Sequence, residues 1–343
     1  MSPRVFLTRR IPAPGLDILH AAGLEVEIGQ DDPERGLDRA ALLRGVARAD
    51  VLLSLLTERI DGAVLDAGAR LRGIANMAVG YDNIDVAAAS ARGLPVSNTP
   101  GVLTDTTADL TWALLLAVAR RVPESERYLR AGHYRVWGPE LFLGADVSPG
   151  GSGVPKTLGI IGFGRIGRAV ARRAHGFDMR VLAHSPERAE IEALPDVTYA
   201  ELDTLLRESD FVTLHAPGTP ATRHLLGGRE LGLMKPTAFL VNVARGDLVD
   251  EAALVRALHE GAIAGAALDV YEREPELAAG LANCENAVLV PHIGSASRDT
   301  RALMASMAAR NAVAHARGER APNVVNPAIY EAAAYAAHAQ SRS

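Results

Sequence analysis

The sequence contains a single cysteine, Cys284, among 343 residues. One cysteine excludes an internal disulfide and is typical of a protein from a reducing compartment. No cysteine or cysteine–histidine spacing of a metal site is present, so no metal is expected. Lysine is also scarce, because only Lys156 and Lys235 occur. Schiff-base chemistry, which needs a reactive lysine, is therefore not expected.

Long apolar runs and basic clusters are absent as well. The longest apolar run, Trp112 to Ala119, is far shorter than the roughly 20 residues of a membrane span. The segment from Met1 to Thr8 matches a strand and lacks the apolar stretch and cleavage site of a signal peptide. The net charge is −5 and the arginines are scattered, a pattern that does not indicate nucleic-acid binding. We therefore expect a cytoplasmic protein with neither nucleic-acid nor membrane partners.

A chain of this length is long for one domain, and two domains are expected. Its composition, 48% hydrophobic and 22% charged, is that of an ordinary globular protein. The N-terminal part alternates short apolar runs with helical patterns, which predicts a parallel sheet with helices on its faces. The predicted strands there are Arg4–Thr8, Val26–Ile28, Val51–Leu53, Gly73–Ala75 and Pro95–Asn98, and the predicted helices are Pro14–Ala22, Asp38–Arg48 and Asp61–Ala69.

The same alternation recurs later in the chain. A helix is predicted at Thr104–Arg121, a connector rich in glycine, proline and aromatic residues at Arg130–Gly153, and a last long helix at Arg298–Arg317. The tail after Tyr330 is expected to be frayed. The predicted strands of this part, which match a complete dinucleotide-binding sheet, are Leu158–Ile161, Arg180–Ala183, Phe211–Leu214, Phe239–Asn242, Gly265–Asp269 and Ala287–Val290.

The segment Thr157–Gly167 carries a Gly-x-Gly-x-x-Gly motif between a strand pattern and a helical pattern. Gly162 permits the tight turn from strand to helix, and Gly164 lets the backbone approach a pyrophosphate. Gly167 lets the helix pack close to the sheet. The first N–H groups of the helix and its positive dipole end then suit phosphates. The alternative is a glycine-rich turn that binds nothing, but the strand and helix around the motif favour a dinucleotide site.

Three chemically active side chains, Arg245, Glu274 and His292, follow the last three predicted strands. Taken singly, each has a plainer interpretation, since an arginine or glutamate in a turn is usually solvated. A histidine at a strand end is usually hydrogen-bonded within the fold. The three nevertheless fall at one edge of one sheet, the edge where α/β proteins bind their ligands. Their shared position favours a catalytic interpretation.

These residue types suit the reduction of a 2-oxo acid. The reaction needs a hydride donor, a proton donor for the developing alkoxide and a clamp for the substrate carboxylate. Histidine titrates closest to neutral pH and is the natural proton donor. Arginine stays charged and binds carboxylates through two parallel N–H bonds. A glutamate beside the histidine orients its ring and favours its protonated form.

Four segments together carry a more specific signal: Asn76–Asp85, the glycine motif, Asn242–Asp247 and Pro291–Ala296. Through them, and from about Pro3 to Pro327, the sequence resembles the D-isomer-specific 2-hydroxyacid dehydrogenase family. It is most similar to the glyoxylate/hydroxypyruvate reductase branch. The resemblance implies an enzyme that reduces 2-oxo acids to D-2-hydroxy acids with NAD(P)H.

The resemblance also implies roles for particular residues. His292 is expected to be the acid/base, Glu274 its partner and Arg245 the carboxylate clamp. The backbone N–H groups of Val79 and Gly80 are expected to help hold the substrate carboxylate.

Further residues match family positions with a second interpretation open. Trp137 corresponds to an aromatic that reaches into the partner subunit's active site, although it could instead pack the connector. Thr107 and Asp269 match positions near the cofactor, although Asp269 could instead cap the loop after its strand. The resemblance implies a homodimer, with the helix after Thr104 and the connector as its interface.

The type of nicotinamide cofactor depends on the end of the second strand of the sheet. Ser185 stands where an NAD-type aspartate would bond the ribose, and Ser185 with Arg188 could bind a 2′-phosphate instead. Glu187 opposes this, since it would repel a phosphate or bond a ribose. We expect NADP in preference to NAD. The predicted cofactor-binding residues are Thr107, Gly162, Gly164, Arg165, Ile166, Gly167, Ser185, Arg188 and Asp269.

The sequence thus predicts an α/β protein of two domains. A Rossmann dinucleotide-binding domain is expected at residues 102–295, and a flavodoxin-like substrate-binding domain at 1–101, completed by 296–330. Residues 331–343 form the expected frayed tail. Two alternatives remain open: a dehydrogenase for another 2-oxo acid or phosphite, and a nicotinamide-sensing binding protein of the same fold.

Overall fold

The computed structural model describes residues 2–32 and 34–340, and the chain forms two units. The first unit comprises Met1–Leu103 and Ala296–Ser343, and the second comprises Thr104–Ser295. The first unit begins with β1 Arg4–Leu7, α1 Ala13–Ala21, β2 Glu25–Ile28, α2 Arg39–Val46, β3 Val51–Ser54, α3 Gly62–Ala67, β4 Gly73–Asn76, α4 Val86–Ala91 and β5 Val96–Ser97.

The second unit contains one sheet and the helices that connect its strands. It begins with the helices α5 Thr104–Ala119 and α6 Val122–Arg130 and continues with β6 Thr157–Ile161, α7 Arg165–Ala174, β7 Arg180–His184, α8 Arg188–Glu192, β8 Thr198–Tyr199, α9 Leu202–Glu208, β9 Phe211–Leu214, α10 Gly228–Leu231, β10 Phe239–Asn242, α11 Glu251–His259, β11 Gly265–Leu268 and β12 Ala287–Leu289. The chain then returns to the first unit with α12 Arg298–Arg317 and α13 Ala333–Gln340.

The first unit has a five-stranded parallel sheet in the order β2-β1-β3-β4-β5. This is the flavodoxin-like strand order. The residues of β3 and β4 are buried along their whole length, as expected for central parallel strands that are covered on both faces. Three helices start at an aspartate whose carboxylate accepts a backbone N–H of the first turn: Asp38, Asp61 and Asp85.

The second unit has a seven-stranded parallel sheet in the order β12-β11-β10-β9-β6-β7-β8. When β6 is counted as strand 1 and the sheet is read from β8, this is the 3-2-1-4-5-6 order of a Rossmann fold, extended by one strand. The fold is therefore α/β with a Rossmann sheet and a flavodoxin-like sheet, as the sequence predicts. The strand order reverses between β6 and β9, which places the switch point beside the glycine turn after β6.

Some elements differ from the sequence prediction. The strand β8 and the helix α4 were not expected, because their apolar patterns span only two and six residues. The predicted helix Thr104–Arg121 ends at Ala119, since Arg121 takes a left-handed backbone conformation with φ of 53° before α6 begins.

The predicted frayed tail is wrong for residues 333–340, which form α13. His338 Nε2 bonds the carbonyl oxygen of Leu71 at 2.7 Å, and the rings of Tyr335 and Tyr330 pack edge to face at 5.0 Å. These contacts stabilise a helix that an alanine-rich sequence would not form alone. Residues 341–343 lie outside the described residues.

Within 2–32 and 34–340, no helix combines the length and apolar character needed to cross a membrane. In the same ranges, no group of three or more His, Cys, Asp or Glu side chains is arranged to hold a metal ion.

Candidate active site

The glycine turn after β6 is tightly packed against the neighbouring strand end. Gly162 has φ of 89°, and a Cβ there would lie 2.4 Å from the backbone nitrogen of Ala216. A Cβ on Gly167 would lie 2.3 Å from the carbonyl oxygen of Gly162. Both positions therefore require glycine, one for conformation and one for the close approach of α7 to the turn.

Gly164 differs from these two glycines. A Cβ on Gly164 would meet no atom of the described residues within 4 Å, so the fold around it does not require glycine there. Gly164 is also the N-cap of α7 and provides no side-chain cap, which leaves the helix N-terminus to a ligand or solvent. A turn that is open at the second glycine suits a pyrophosphate.

His215, at the end of β9, was missed by the sequence analysis. Both of its ring nitrogens are buried and have no hydrogen-bond partner within the described part of the chain. Burial lowers the pKa of His215 to about 3, so the ring is neutral at physiological pH. Its backbone adjoins Gly162, where a Cβ would lie 2.5 Å from the His215 carbonyl carbon. Buried polar atoms without partners are rare, and these lie at the switch point where Rossmann sheets bind dinucleotides.

The predicted 2′-phosphate residues already have partners in the protein. The Ser185 hydroxyl donates to the carboxylate of Glu187 and holds the pKa of that carboxyl below its usual range. Arg188 pairs with Glu192 at 2.7 Å and lies over the ring of Tyr199. Neither residue is committed to a phosphate in this arrangement.

The three candidate catalytic residues follow β10, β11 and β12, which are neighbours in the sheet and run parallel. Their carboxyl ends therefore meet at one edge. The Nδ1 atom of His292 lies 2.8 Å from Oε2 of Glu274. The other oxygen of Glu274 accepts the backbone N–H of Tyr271 at 3.1 Å. Both partners are partly exposed, with 28% and 31% of their side chains accessible, so a substrate can reach them.

The turn that carries His292 is held in an unusual conformation. His292 has φ of 52°, which is uncommon outside glycine and often marks functional sites. The carboxylate of Asp269 accepts the backbone N–H groups of Ile293 and Gly294, and Thr107 donates its hydroxyl to the Gly294 carbonyl at 3.1 Å. Burial raises the pKa of Asp269, whereas the Ile293 N–H bond and the charge of His292 act in the opposite sense.

The turn after β10 carries Arg245, which is half-buried. Its carbonyl accepts the amide of Asn242 at 2.8 Å, and the same side chain of Asn242 accepts the N–H of Ala244. A Cβ on Gly246 would lie 1.9 Å from the carbonyl carbon of Tyr271. The arginine turn thus packs directly on the loop that carries Glu274.

Val79 and Gly80 lie in the first unit, just after β4. Asn76 donates its amide to the Gly80 carbonyl at 2.9 Å, and Asn98 donates to the Val79 carbonyl at 2.8 Å. The bond to the Val79 carbonyl fixes the peptide group that carries the Gly80 N–H. The peptide group that carries the Val79 N–H is fixed by the N–H of Thr99, which donates to the Ala78 carbonyl at 2.9 Å.

Trp137 lies in the segment after α6 and is 72% exposed. It does not pack the connector of its own chain as a buried aromatic would. A role of Trp137 in the partner subunit's active site stays a prediction.

A cavity of about 720 Å³ lies elsewhere, along α5, α6 and the amino ends of β10 and β12. It contains none of the predicted site residues. We place the candidate site at the opposite, carboxyl edge because the paired reactive groups and the open glycine turn lie there.

A family model for the D-isomer specific 2-hydroxyacid dehydrogenase NAD binding domain matches residues 112–294. The chain is 50% identical over 334 residues to the glyoxylate reductase of Thermococcus gammatolerans, and the match covers 96% of this chain and 97% of the relative.

Two solved structures also match nearly the whole chain. The TT0316 protein of Thermus thermophilus matches with a TM-score of 0.86 and 46% identity, over 94% of this chain and 99% of that one. An NADPH-dependent glyoxylate/hydroxypyruvate reductase of Sinorhizobium meliloti, solved with NADP and malonate, matches with a TM-score of 0.81 and 34% identity, over 95% and 97% of the two chains.

Proposed function

The chain belongs to the D-isomer-specific 2-hydroxyacid dehydrogenase family, and from this membership we propose that it reduces glyoxylate and hydroxypyruvate to the corresponding D-2-hydroxy acids. The observation that carries the proposal is the His292–Glu274 pair, with its 2.8 Å contact, beside the turn that holds Arg245. A glycine turn suited to a dinucleotide lies at the same edge of the sheet.

In the proposed mechanism, Arg245 binds the substrate carboxylate with its guanidinium. Because Nδ1 of His292 is bonded to Glu274, Nε2 is the atom that donates the proton to the developing alkoxide. A reduced nicotinamide cofactor, when bound, supplies the hydride. Glu274 stabilises the protonated ring and fixes its orientation.

Asp269 and Thr107 act on the same step through the backbone, since their contacts hold the turn from His292 to Gly294. We assign to Asp269 and Thr107 the positioning of His292, and we propose that both residues also lie near the bound cofactor. The N–H groups of Val79 and Gly80 are proposed as further contacts to the substrate carboxylate.

Within the nicotinamide class, we propose that NADPH is preferred to NADH. The proposal rests on Ser185, which replaces a carboxylate at the end of β7, and on Arg188, one helix turn before its partner Glu192. To bind a 2′-phosphate, Arg188 would exchange Glu192 for the phosphate. The carboxylate of Glu187, which accepts the Ser185 hydroxyl, would have to rotate away from the phosphate.

The cofactor proposal is tested by kcat/KM with NADPH and NADH in the wild type, Ser185→Asp and Glu187→Gln. We expect NADPH to be preferred, Ser185→Asp to reverse the order and Glu187→Gln to strengthen it. A wild type that prefers NADH, with a preference that Glu187→Gln abolishes, would show that Glu187 binds the ribose and that the proposal is wrong.

We also propose a cytoplasmic homodimer. Large apolar side chains are exposed along α6 and the segment after it, where a second copy would cover them. They include Val122, Leu129, Val136, Trp137 and Leu143. In this arrangement Trp137 contributes to substrate selection in the partner's site.

The proposed activity is tested by loss of reduced-cofactor absorbance with glyoxylate, hydroxypyruvate and a panel of other 2-oxo acids. We expect the highest kcat/KM with glyoxylate or hydroxypyruvate and D-glycerate as the product from hydroxypyruvate. Cofactor binding without turnover of any 2-oxo acid would contradict an enzyme and favour a nicotinamide-sensing protein.

A further inference from the structure

The loop that carries Glu274 also carries Glu272, the carboxylate of a second histidine–carboxylate pair. His224 Nε2 is 2.8 Å from Oε1 of Glu272, and the guanidinium of Arg223 approaches the same oxygen at 3.3 Å. The side chain of Glu272 is only 19% exposed. The proposed reaction gives this pair no part, although only Arg273 separates Glu272 from the partner of the proton donor.

Beneath this pair lies a buried carboxylate. Glu251, in the first turn of α11, is 3% exposed and accepts the backbone N–H of Glu272 at 2.8 Å. Burial raises the pKa of Glu251, and the nearby charge of Glu272 acts in the same sense. Two carboxylates in one partly buried place repel each other, and His224 and Arg223 supply the compensating donors.

The backbone of His224 is bonded to a different loop. Its N–H donates to the carbonyl of Asp247 at 2.7 Å, and the N–H of Leu226 donates to the carbonyl of Leu248 at 3.0 Å. Asp247 and Leu248 follow Arg245 closely in the chain. His224 therefore connects two loops: its main chain is hydrogen-bonded to the loop that carries Arg245, and its side chain contacts the loop that carries Glu274.

The conformation of His224 fits this bridging role. Its φ is 50°, a left-handed conformation that glycine or asparagine adopts more readily than histidine. A glycine there would relieve the backbone but would lose the contact to Glu272. The side-chain contact is thus the feature that distinguishes histidine at this position.

Resting on the proposed function, we propose that His224 and Glu272, supported by Glu251, form a positioning device that fixes the loops of Arg245 and Glu274 relative to each other. Neither His224 nor Glu272 is assigned a contact to the substrate. They act through the carboxylate clamp and through the partner of the proton donor.

The expected effect follows from the geometry of the reaction. A displacement of about 1 Å in a positioning group can lower the rate by roughly 100-fold. If both loops shift, the KM for glyoxylate rises through Arg245 and kcat falls through Glu274. This combined change differs from the effect of altering either catalytic residue alone.

The test compares Glu272→Ala and His224→Asn with the conservative variants Glu272→Gln and His224→Gln. Asparagine tolerates the left-handed conformation but is too short to replace the ring, whereas glutamine retains a donor or an acceptor on a longer side chain. Asp210→Ala is the matched control, because Asp210 is 21% exposed and binds Lys235 and a backbone N–H at the opposite edge of the sheet.

We expect Glu272→Ala and His224→Asn to raise the KM for glyoxylate and to lower kcat, for a loss in kcat/KM of roughly 100-fold. The cofactor Kd should stay within about twofold, glutamine should restore part of the loss, and Asp210→Ala should change neither constant. Wild-type constants in both variants, or losses no larger than those of Asp210→Ala, would overturn the proposal.

A crystal structure of Glu272→Ala provides a readout that does not depend on activity. We expect the 2.8 Å contact between His292 and Glu274 to lengthen or break. An unchanged contact and an unchanged Arg245 turn would overturn the positioning role. If the wild type does not reduce any 2-oxo acid, the proposed function fails, and the crystallographic distance still decides the positioning role by itself.

Discussion

At the scale of single residues, a small number of contacts fixes the ring and the backbone of the proton donor. The side chain of His292 pairs with Glu274, and its backbone conformation is fixed by Asp269 and Thr107 through the neighbouring peptide groups. The consequence is that Nε2 alone is left to act as the proton donor. The chemistry of one imidazole is therefore set by residues from other parts of the chain.

Arg245→Ala should chiefly impair substrate binding, because a charged, bidentate partner of the carboxylate is lost. We expect the KM for glyoxylate to rise by at least roughly tenfold, with kcat falling where the clamp also sets the reaction geometry. Arg245→Lys should recover only part of the loss, since lysine offers a point charge. Steady-state kinetics measure both constants. An unchanged KM in Arg245→Ala would place the substrate carboxylate elsewhere.

Sequence patterns predicted the residues at strand ends but not the contacts between distant loops. Arg245, Glu274 and His292 each follow an apolar run, so their shared edge could be predicted from the parallel sheet. The His224–Glu272 contact joins positions 48 residues apart, and nothing local in either segment indicates it. His215 was equally missed, because the absence of a partner is visible only once the fold surrounds it.

At the scale of elements, the glycine turn separates residues required by the fold from one that is free for a ligand. Gly162 and Gly167 leave no space for a Cβ, whereas Gly164 faces none of the described atoms within 4 Å. The three glycines of the motif therefore have different roles. Their spacing predicts these roles only where a helix follows the motif.

Gly164→Ala should leave the protein folded but weaken dinucleotide binding, because the added methyl group occupies the space expected for the pyrophosphate. Gly176→Ala is the matched control, since a Cβ there also meets nothing within 4 Å. We expect the cofactor Kd to rise about tenfold or more in Gly164→Ala, with Tm close to that of Gly176→Ala. Equal cofactor affinities in the two variants would place the pyrophosphate away from this turn.

Helix α12 carries a buried histidine that makes the first unit sensitive to acid. Burial lowers the pKa of His315 to about 4, and Nε2 of the ring contacts the hydroxyl of Ser97 at 2.9 Å. Because the unfolded chain binds a proton near the ordinary pKa of about 6.5, the unfolded state binds more protons between about pH 6.5 and pH 4. The contribution of His315 to stability is therefore complete above about pH 6.5 and is lost as the pH falls towards about 4.

We expect His315→Gln to flatten this dependence, since glutamine does not titrate and keeps a donor for Ser97. The wild type should lose up to about 3 kcal/mol more than the variant between about pH 6.5 and pH 4. Urea unfolding at a series of pH values measures the difference. Parallel stability curves for the two proteins would show that His315 does not titrate differently in the folded state.

At the scale of the whole molecule, the exposed apolar side chains along α6 and the segment after it are the strongest indication of a second subunit. Leu129 and Val136 are 60% and 78% exposed. The double variant Leu129→Glu with Val136→Glu should dissociate the proposed dimer, because charged groups would be buried at the interface. Leu303→Glu, at an exposed leucine of α12, is the control. Sedimentation showing a monomeric wild type would contradict the proposed assembly.

The positions of most strands could be predicted better than the structure of the chain ends and of the sheet edges. The alternating pattern predicted five strands of the first sheet and six of the second at nearly their observed positions. The edge strand β8 is two residues long, and α13 is stabilised by contacts to Leu71 and Tyr330 rather than by its own sequence. Short or externally stabilised elements leave little pattern in the sequence.

In the proposed mechanism, His292 donates the proton while the rest of the site binds cofactor and substrate. Measuring kcat and the cofactor Kd of His292→Asn tests it most directly. We predict that kcat falls roughly 10²–10⁴-fold, while the cofactor Kd and Tm remain close to those of the wild type. A variant that binds cofactor normally and retains most of the wild-type kcat would contradict the account, because the proton would then come from another group.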